Sequence, residues 1–238
     1  PLPPLEEQRR IAEVLTAYDA LYEALRRLYI QTSTLVHSFA HSNMVRLEQT
    51  GTPMKILEDV GTVLTGRTPS SIEPGCWGDD VPFVTPGDMN FIEPKLRICE
   101  RNLSYHGASR SVVVPSSSIL VVCIGSTIGK VAKCEIPVAF NQQINAVIPK
   151  VVDSMYLFTC LLECAQQLIS KRATTAVPIV NKSSFSHIHI PVPLREKQQE
   201  ISENISDLLN MRDACDLRMR AARQGKNTLL QNILRAEL

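Results

Sequence analysis

Apolar residues recur every seven positions near the start of the chain. Ile11, Tyr18, Leu25, Thr32 and Phe39 form one column, Val14, Leu21, Leu28 and Leu35 a second. Leu15, Tyr22, Tyr29 and Val36 flank them, and neither Pro nor Gly interrupts residues 5–50. The pattern predicts one continuous helix with a wide apolar stripe, which has to be buried against a partner. The register returns near the other end. Shifting the first column by 190 residues gives Ile201, Leu208, Cys215, Ala222 and Leu229. Met211 lies in the second column with Asn204, Arg218 and Gly225, while Ile205, Met219 and Ile233 thicken the stripe on one side. The helix entries match as well: Pro1-Leu2-Pro3-Pro4-Leu5-Glu6-Glu7-Gln8 corresponds to Pro191-Val192-Pro193-Leu194-Arg195-Glu196-Lys197-Gln198. Two helices of about 35 residues, each rising roughly 50 Å, are therefore expected to pair with each other. The expected pairing residues are Ile11, Val14, Tyr18, Leu21, Leu25, Leu28 and Leu35 on the first helix, and Ile201, Leu208, Met211, Cys215 and Leu229 on the second.

After Thr50 the pattern changes. Gly and Pro punctuate short apolar runs, the signature of strands and turns. Strands are expected at 60–65, 81–85, 111–114, 119–124, 130–134 and 144–149. Residues 154–171 instead show helical spacing through Met155, Leu157, Phe158, Leu161, Leu162, Ala165, Leu168 and Ile169, with Ser154 as the expected N-cap. The chain thus divides into a helix over 1–50, a mostly β domain with one prominent helix over 51–190, and a second helix over 191–238. The fold class is α+β.

Composition sets limits on this picture. The 238 residues are 44% apolar with a net charge of +1, which suits a chain with a real core and argues against binding driven by net charge alone. No apolar run reaches the roughly 18 residues of a membrane span. Seven scattered cysteines without a Cys-x-x-Cys spacing read as buried, reduced thiols of a cytoplasmic protein. The five histidines are not spaced to build a metal site with them, so no metal is expected.

Four polar–glycine clusters interrupt the β domain: Gly66–Ser71, Thr85–Met89, Gly125–Lys130 and Phe140–Gln143. Glycine allows close backbone approach, Ser, Thr, Asn and Gln can bond phosphates or base edges, and Arg can grip guanine with two bonds. The residues in these clusters that could make such contacts are Arg67, Thr68, Ser70, Thr85, Ser126, Thr127, Lys130, Asn141, Gln142 and Gln143. Arg97, Arg101, His106, Ser109, Arg110, Lys182 and Ser184, from less motif-like stretches, form a second set. Gly125–Lys130 is no phosphate-binding P-loop, because three residues rather than four separate its glycines and Val131 follows the lysine. No Gly-x-Ser-x-Gly, His-Glu-x-x-His or Gly-x-Gly-x-x-Gly occurs, and neither does the cofactor loop or Asn-Pro-Pro-type motif of an amino-methyltransferase. No catalytic residues are expected.

The Pro-rich entries, Gly66–Ser70 with Trp77, Val84–Met89, Gly125–Val131, Phe140–Gln143 and Ile190–Ile201 together resemble the specificity subunit of type I restriction–modification systems. The resemblance implies a target-recognition domain between two conserved spacer helices that pair as an antiparallel coiled coil. It implies a non-catalytic subunit that reads half of a bipartite site in double-stranded DNA. Methyltransferase and restriction subunits would be its partners, holding S-adenosylmethionine, ATP and Mg, with no cofactor in this chain. Subunits of that family usually carry two recognition domains; this chain carries one. A homodimer would regenerate two domains and four helices and favour an inverted-repeat target. Two other readings stay open: a coiled-coil module whose insert binds protein, and the recognition part of a fused restriction–methylation enzyme.

Overall fold

The computed structural model describes residues 4–70, 73–96, 99–171 and 179–236. Two long helices, α1 (Leu5–Gln49) and α6 (Arg195–Ala236), flank a β-rich body in the sequence. Their first turns repeat like their sequences. The Gln8 N–H donates to Pro4 O at 3.0 Å, and the Gln198 N–H to Leu194 O at 3.2 Å. The chain forms two compact units, residues 1–38 with 206–238 and residues 39–205. The last turns of α1 and the first of α6 thus belong with the β body.

In the helical unit α1 and α6 run antiparallel. Lys226 bonds the Asp19 carboxylate, Gly225 meets Tyr18, and the Arg212 guanidinium lies 5.9 Å from the Tyr29 ring centre. A Cβ on Gly225 would stand 3.0 Å from the Tyr18 hydroxyl, so this glycine, placed mid-helix at a cost in propensity, makes room for the ring. Leu25 is buried, and Ile11, Tyr18, Leu208, Cys215 and Leu229 are half-buried. The second column departs from expectation: Val14, Leu21, Leu28, Leu35 and Met211 are 40–59% exposed. Within one chain the seam uses the flanking column instead, with Leu15, Tyr22 and Tyr29 half-buried and Val36 fully buried. The matching column of α6 contains Arg212 and Lys226, whose long stems and polar ends meet Tyr29 and Asp19.

The body stacks two five-stranded sheets. The first runs in the order β2 (Gly61–Thr65), β11 (Ile144–Pro149), β8 (Ile119–Val122), β9 (Val131–Cys134), β5 (Ile92–Leu96). All its pairs are antiparallel except β5–β9. The second runs β3 (Trp77–Gly78), β6 (Arg101–Leu103), β4 (Val81–Val84), β10 (Val138–Phe140), β7 (Val113–Val114), with only β4–β10 parallel. Val84, Val114, Val138 and Phe140 of one sheet pack with Leu120, Val122, Ala132, Ile144 and Ala146 of the other. Ile119, Val121 and Val131 alternate with these and are also buried, on the face that carries α4 (Ser154–Lys171). Burial on both faces explains why β8 reads as an unbroken apolar run.

The N-cap of α4 is Asp153, not Ser154. Its Oδ1 accepts from the Met155 and Tyr156 amides at 2.9 and 3.0 Å. The same oxygen accepts from the Ser202 hydroxyl at 2.6 Å, and the Asp153 N–H donates to Gln198 Oε1 at 2.9 Å. The Tyr156 hydroxyl donates to Pro191 O. The repeated Pro-to-Gln motif therefore serves here to seat α6 on α4. Burial would raise the Asp153 pKa, but the Ser202 hydroxyl, the two amides and Arg195 outweigh it and hold the carboxyl below its ordinary value. A two-stranded ribbon of β1 (Met54–Ile56) and β12 (His189–Pro191) closes the chain entry against its exit. The short helices α2 (Leu57–Val60), α3 (Tyr105–Ser109) and α5 (Lys182–Ser186) complete the body. Val60 ends α2 rather than opening a strand.

Candidate nucleic-acid interface

The four polar–glycine clusters, up to about 75 residues apart along the chain, meet in one region of the body. Gly66 lies so close to β10 that a Cβ would stand 2.1 Å from Asn141 O and 2.4 Å from Phe140 O. The next residue, Arg67, donates its N–H to Phe140 O at 2.9 Å, and the Thr68 hydroxyl donates to Gln142 Oε1 at 2.8 Å. The Cys123 N–H donates to Gln143 O, which brings the Gly125–Gly129 turn alongside. Both glycines of that turn have positive φ, 98° and 90°. The Asn141 N–H donates to Val84 O, and Lys130 Nζ donates to Pro86 O at 2.7 Å, which attaches the Thr85–Met89 turn.

Much of the polar chemistry of these clusters is turned inward. Lys130 is committed to Pro86 O and lies 5.9 Å from the Phe91 ring centre. Thr85 donates both its amide and its hydroxyl to Asp88 Oδ2, while Asp88 Oδ1 accepts the Glu100 amide. Asn141 and Gln143 bond each other. Arg67, Thr68, Ser70, Ser126 and Gln142 are exposed, and Thr127 is half-buried. Lys182 is exposed on α5, just beyond the segment where Ile179 bridges Ile124 and the Val180 amide bonds Cys123 O. Ser184 and Ser109 are exposed as well. Arg97 lies outside the described residues.

The remaining basic candidates gather around α3. Arg101 stacks its guanidinium 3.5 Å from the centre of the Trp77 ring, and that ring stands edge-on to Phe83 at 5.3 Å. Arg110 Nε and His106 Nε2 both contact Glu73 Oε1, at 3.1 and 3.0 Å. Ser111 donates to Arg67 O, so the α3 group adjoins the clusters above. Two features here were not anticipated. Tyr105, 74% exposed on α3, is an aromatic held out to solvent. Glu73 is an acidic partner for two expected DNA-binding side chains, Arg110 and His106; the chain separation of 33 residues between Glu73 and His106 gave no hint of it. Burial, with a smaller contribution from the Asp88 charge, pushes Cys99 up to about 12; burial likewise pushes Cys123 and Cys134 up to about 12. These behave as core residues rather than reactive groups.

Residues 52–215, more than half of the chain, match the family described as Type I restriction modification DNA specificity domain. The chain is 30% identical over 194 residues to the type I restriction enzyme HindI specificity subunit of Haemophilus influenzae, covering 79% of this chain and 42% of that protein. It is 28% identical over 159 residues to the type I restriction enzyme MjaIX specificity subunit of Methanocaldococcus jannaschii, covering 64% of this chain and 37% of that one. Among solved structures, the S subunit of a type I restriction–modification system from M. genitalium shares the fold, with a TM-score of 0.66 at 16% identity, over 95% of this chain and 60% of that chain. The chain thus spans less than half the length of these two curated relatives.

Proposed function

We propose, from the premise that this chain belongs to the type I restriction–modification DNA specificity family, that its β body reads one half of a bipartite DNA target. The reading rests on one observation above all: four distant polar–glycine clusters converge, and Arg67, Ser126 and Gln142 within them are exposed. Arg67, Arg110 and Lys182 would contact phosphates and set the register, while Gln142, Ser126 and Thr127 would read base edges in the major groove. Thr85, Lys130, Asn141 and Gln143 would act from behind by holding the turns in shape. Arg101, stacked on Trp77, would present its edge rather than search freely.

Chemistry would reside elsewhere. Adenine methylation with S-adenosylmethionine and ATP-driven, Mg-dependent cleavage belong, on this reading, to methyltransferase and restriction partners in the cytoplasm. Val14, Leu21, Leu28 and Leu35 supply an exposed apolar line of about 32 Å on α1, suited to helices of a methyltransferase subunit or of a second copy. A two-fold dimer would double the single recognition domain and select an inverted repeat. The test is to co-express the chain with a cognate adenine methyltransferase subunit and to sequence methylated adenines in a DNA library. A bipartite motif carries the reading, and its symmetry reports the dimer. A stable complex that methylates without sequence preference, or no complex with a verified partner, would refute it.

A further inference from the structure

Glu73, Cys76 and His106 bring a carboxylate oxygen, a thiol sulfur and an imidazole nitrogen within 4.8 Å of one another. We infer that these three residues form a binding site for a zinc ion, clasping the 73–76 loop to α3. The donors sit on two segments that are already locked together. Ser104 donates its amide to Cys76 O at 3.0 Å and its hydroxyl to Gly75 O. The Ser104 hydroxyl oxygen also accepts the Gly107 amide and caps α3. Gly107 packs so tightly on the loop that a Cβ would stand 1.9 Å from Cys76 O. The frame behind the donors therefore needs no ordering when an ion arrives.

Zinc binds thiolate at about 2.3 Å and imidazole or carboxylate at about 2.0–2.2 Å, which in tetrahedral geometry sets ligand atoms roughly 3.5 Å apart. Glu73 Oε1 and His106 Nε2 are already 3.0 Å apart, so closure needs shifts of only about an ångström, within reach of side-chain rotation. The Cys76 side chain is fully buried, whereas those of Glu73 and His106 are 33% and 49% exposed. The sulfur thus forms the floor of the site and the other two its open rim. One sulfur, one nitrogen and one oxygen donor suit zinc rather than Mg²⁺ or Ca²⁺, which take oxygen ligands. A water completes four-coordination. Binding releases the Cys76 proton to solvent and displaces Arg110, which now holds the same Glu73 oxygen.

The experiment titrates the whole chain, first stripped with a chelator, with zinc chloride and separately with cobalt(II), without DNA or partners. The expected result is one equivalent bound, a thiolate-to-cobalt charge-transfer band, and affinity at least tenfold weaker in Cys76→Ser, His106→Gln and Glu73→Gln, with Cys215→Ser unchanged. Absence of saturable binding would overturn the site, as would affinity unchanged in Cys76→Ser and His106→Gln. Circular dichroism monitors folding; if the buried Cys76→Ser variant unfolds, the variants at the two exposed ligands decide the outcome.

Discussion

Replacing Asp153 with alanine tests how α6 is seated on the β body. The carboxylate caps α4 through the Met155 and Tyr156 amides, and it accepts the Ser202 hydroxyl of α6 on the same oxygen. Losing an N-cap of this kind costs about 1 kcal/mol. Losing a hydrogen bond to a charged acceptor costs about 1.5 kcal/mol more. Arg195, 3.8 Å away and mostly exposed, adds little. The expected loss is therefore about 2.5 kcal/mol. Asparagine caps helices nearly as well and can still accept from Ser202, so Asp153→Asn should lose about 1 kcal/mol. Urea unfolding followed by Trp77 fluorescence reports the body specifically, since this is the chain's single tryptophan and it packs against Phe83. The pH dependence has a fixed sign. The Asp153 pKa is depressed in the folded state, so its stabilisation is present above the unfolded value of about 3.9 and is lost as pH falls through the folded value. The gap between the native chain and Asp153→Asn should close below about pH 4. A loss in Asp153→Ala below about 0.5 kcal/mol, the range of ordinary surface changes, would refute the reasoning. So would an Asp153→Asn gap that persists unchanged into strong acid.

Lys130 and Arg67 should separate by function. Lys130→Met should destabilise the chain by about 1–2 kcal/mol by removing the bond to Pro86 O, and leave the salt dependence of DNA binding by the assembled complex unchanged. Arg67→Ala should leave stability within about 0.5 kcal/mol and reduce the salt slope by about 1. Gly66→Ala should destabilise the body by about 3 kcal/mol, because its Cβ would collide with backbone oxygens that cannot rotate away; thermal unfolding measures this. Changing Leu21 and Leu28 together to glutamine should leave the chain's stability within about 1 kcal/mol yet abolish methyltransferase capture or self-association, as read by co-purification and sedimentation.

Local signals in the sequence determined a good deal. Heptads set α1 and α6, uninterrupted by Pro or Gly in α1, the repeat set their common entry, apolar runs marked β8 and β11, and helical spacing marked α4. Each of these carries its pattern within its own residues. Apart from the five-residue β5, the strands outside the expected set are two or three residues long and depend on distant neighbours: β10 is three residues, paired in parallel with β4 some 55 positions earlier and flanked by β7. The seam was decided in the same way. Columns 14/21/28/35 and 15/22/29/36 are adjacent and both apolar, and only the packing of α6 selected the second.

At the candidate interface the sequence marked the clusters that the fold brings together, without distinguishing exposed side chains from those bonded within the turns. Lys130, Thr85 and Asn141 look as available as Arg67 until Pro86, Asp88 and Gln143 occupy them. The Glu73–Cys76–His106 group was invisible for a related reason: its third donor arrives through the pairing of β3 with β6. Periodicity and turn chemistry act over a few residues, so the sequence alone determined the helices, the stronger strands and the family motifs. Which side chains are free, which are spent on one another and which converge depends on contacts between segments far apart in the chain, and only the tertiary structure decided these.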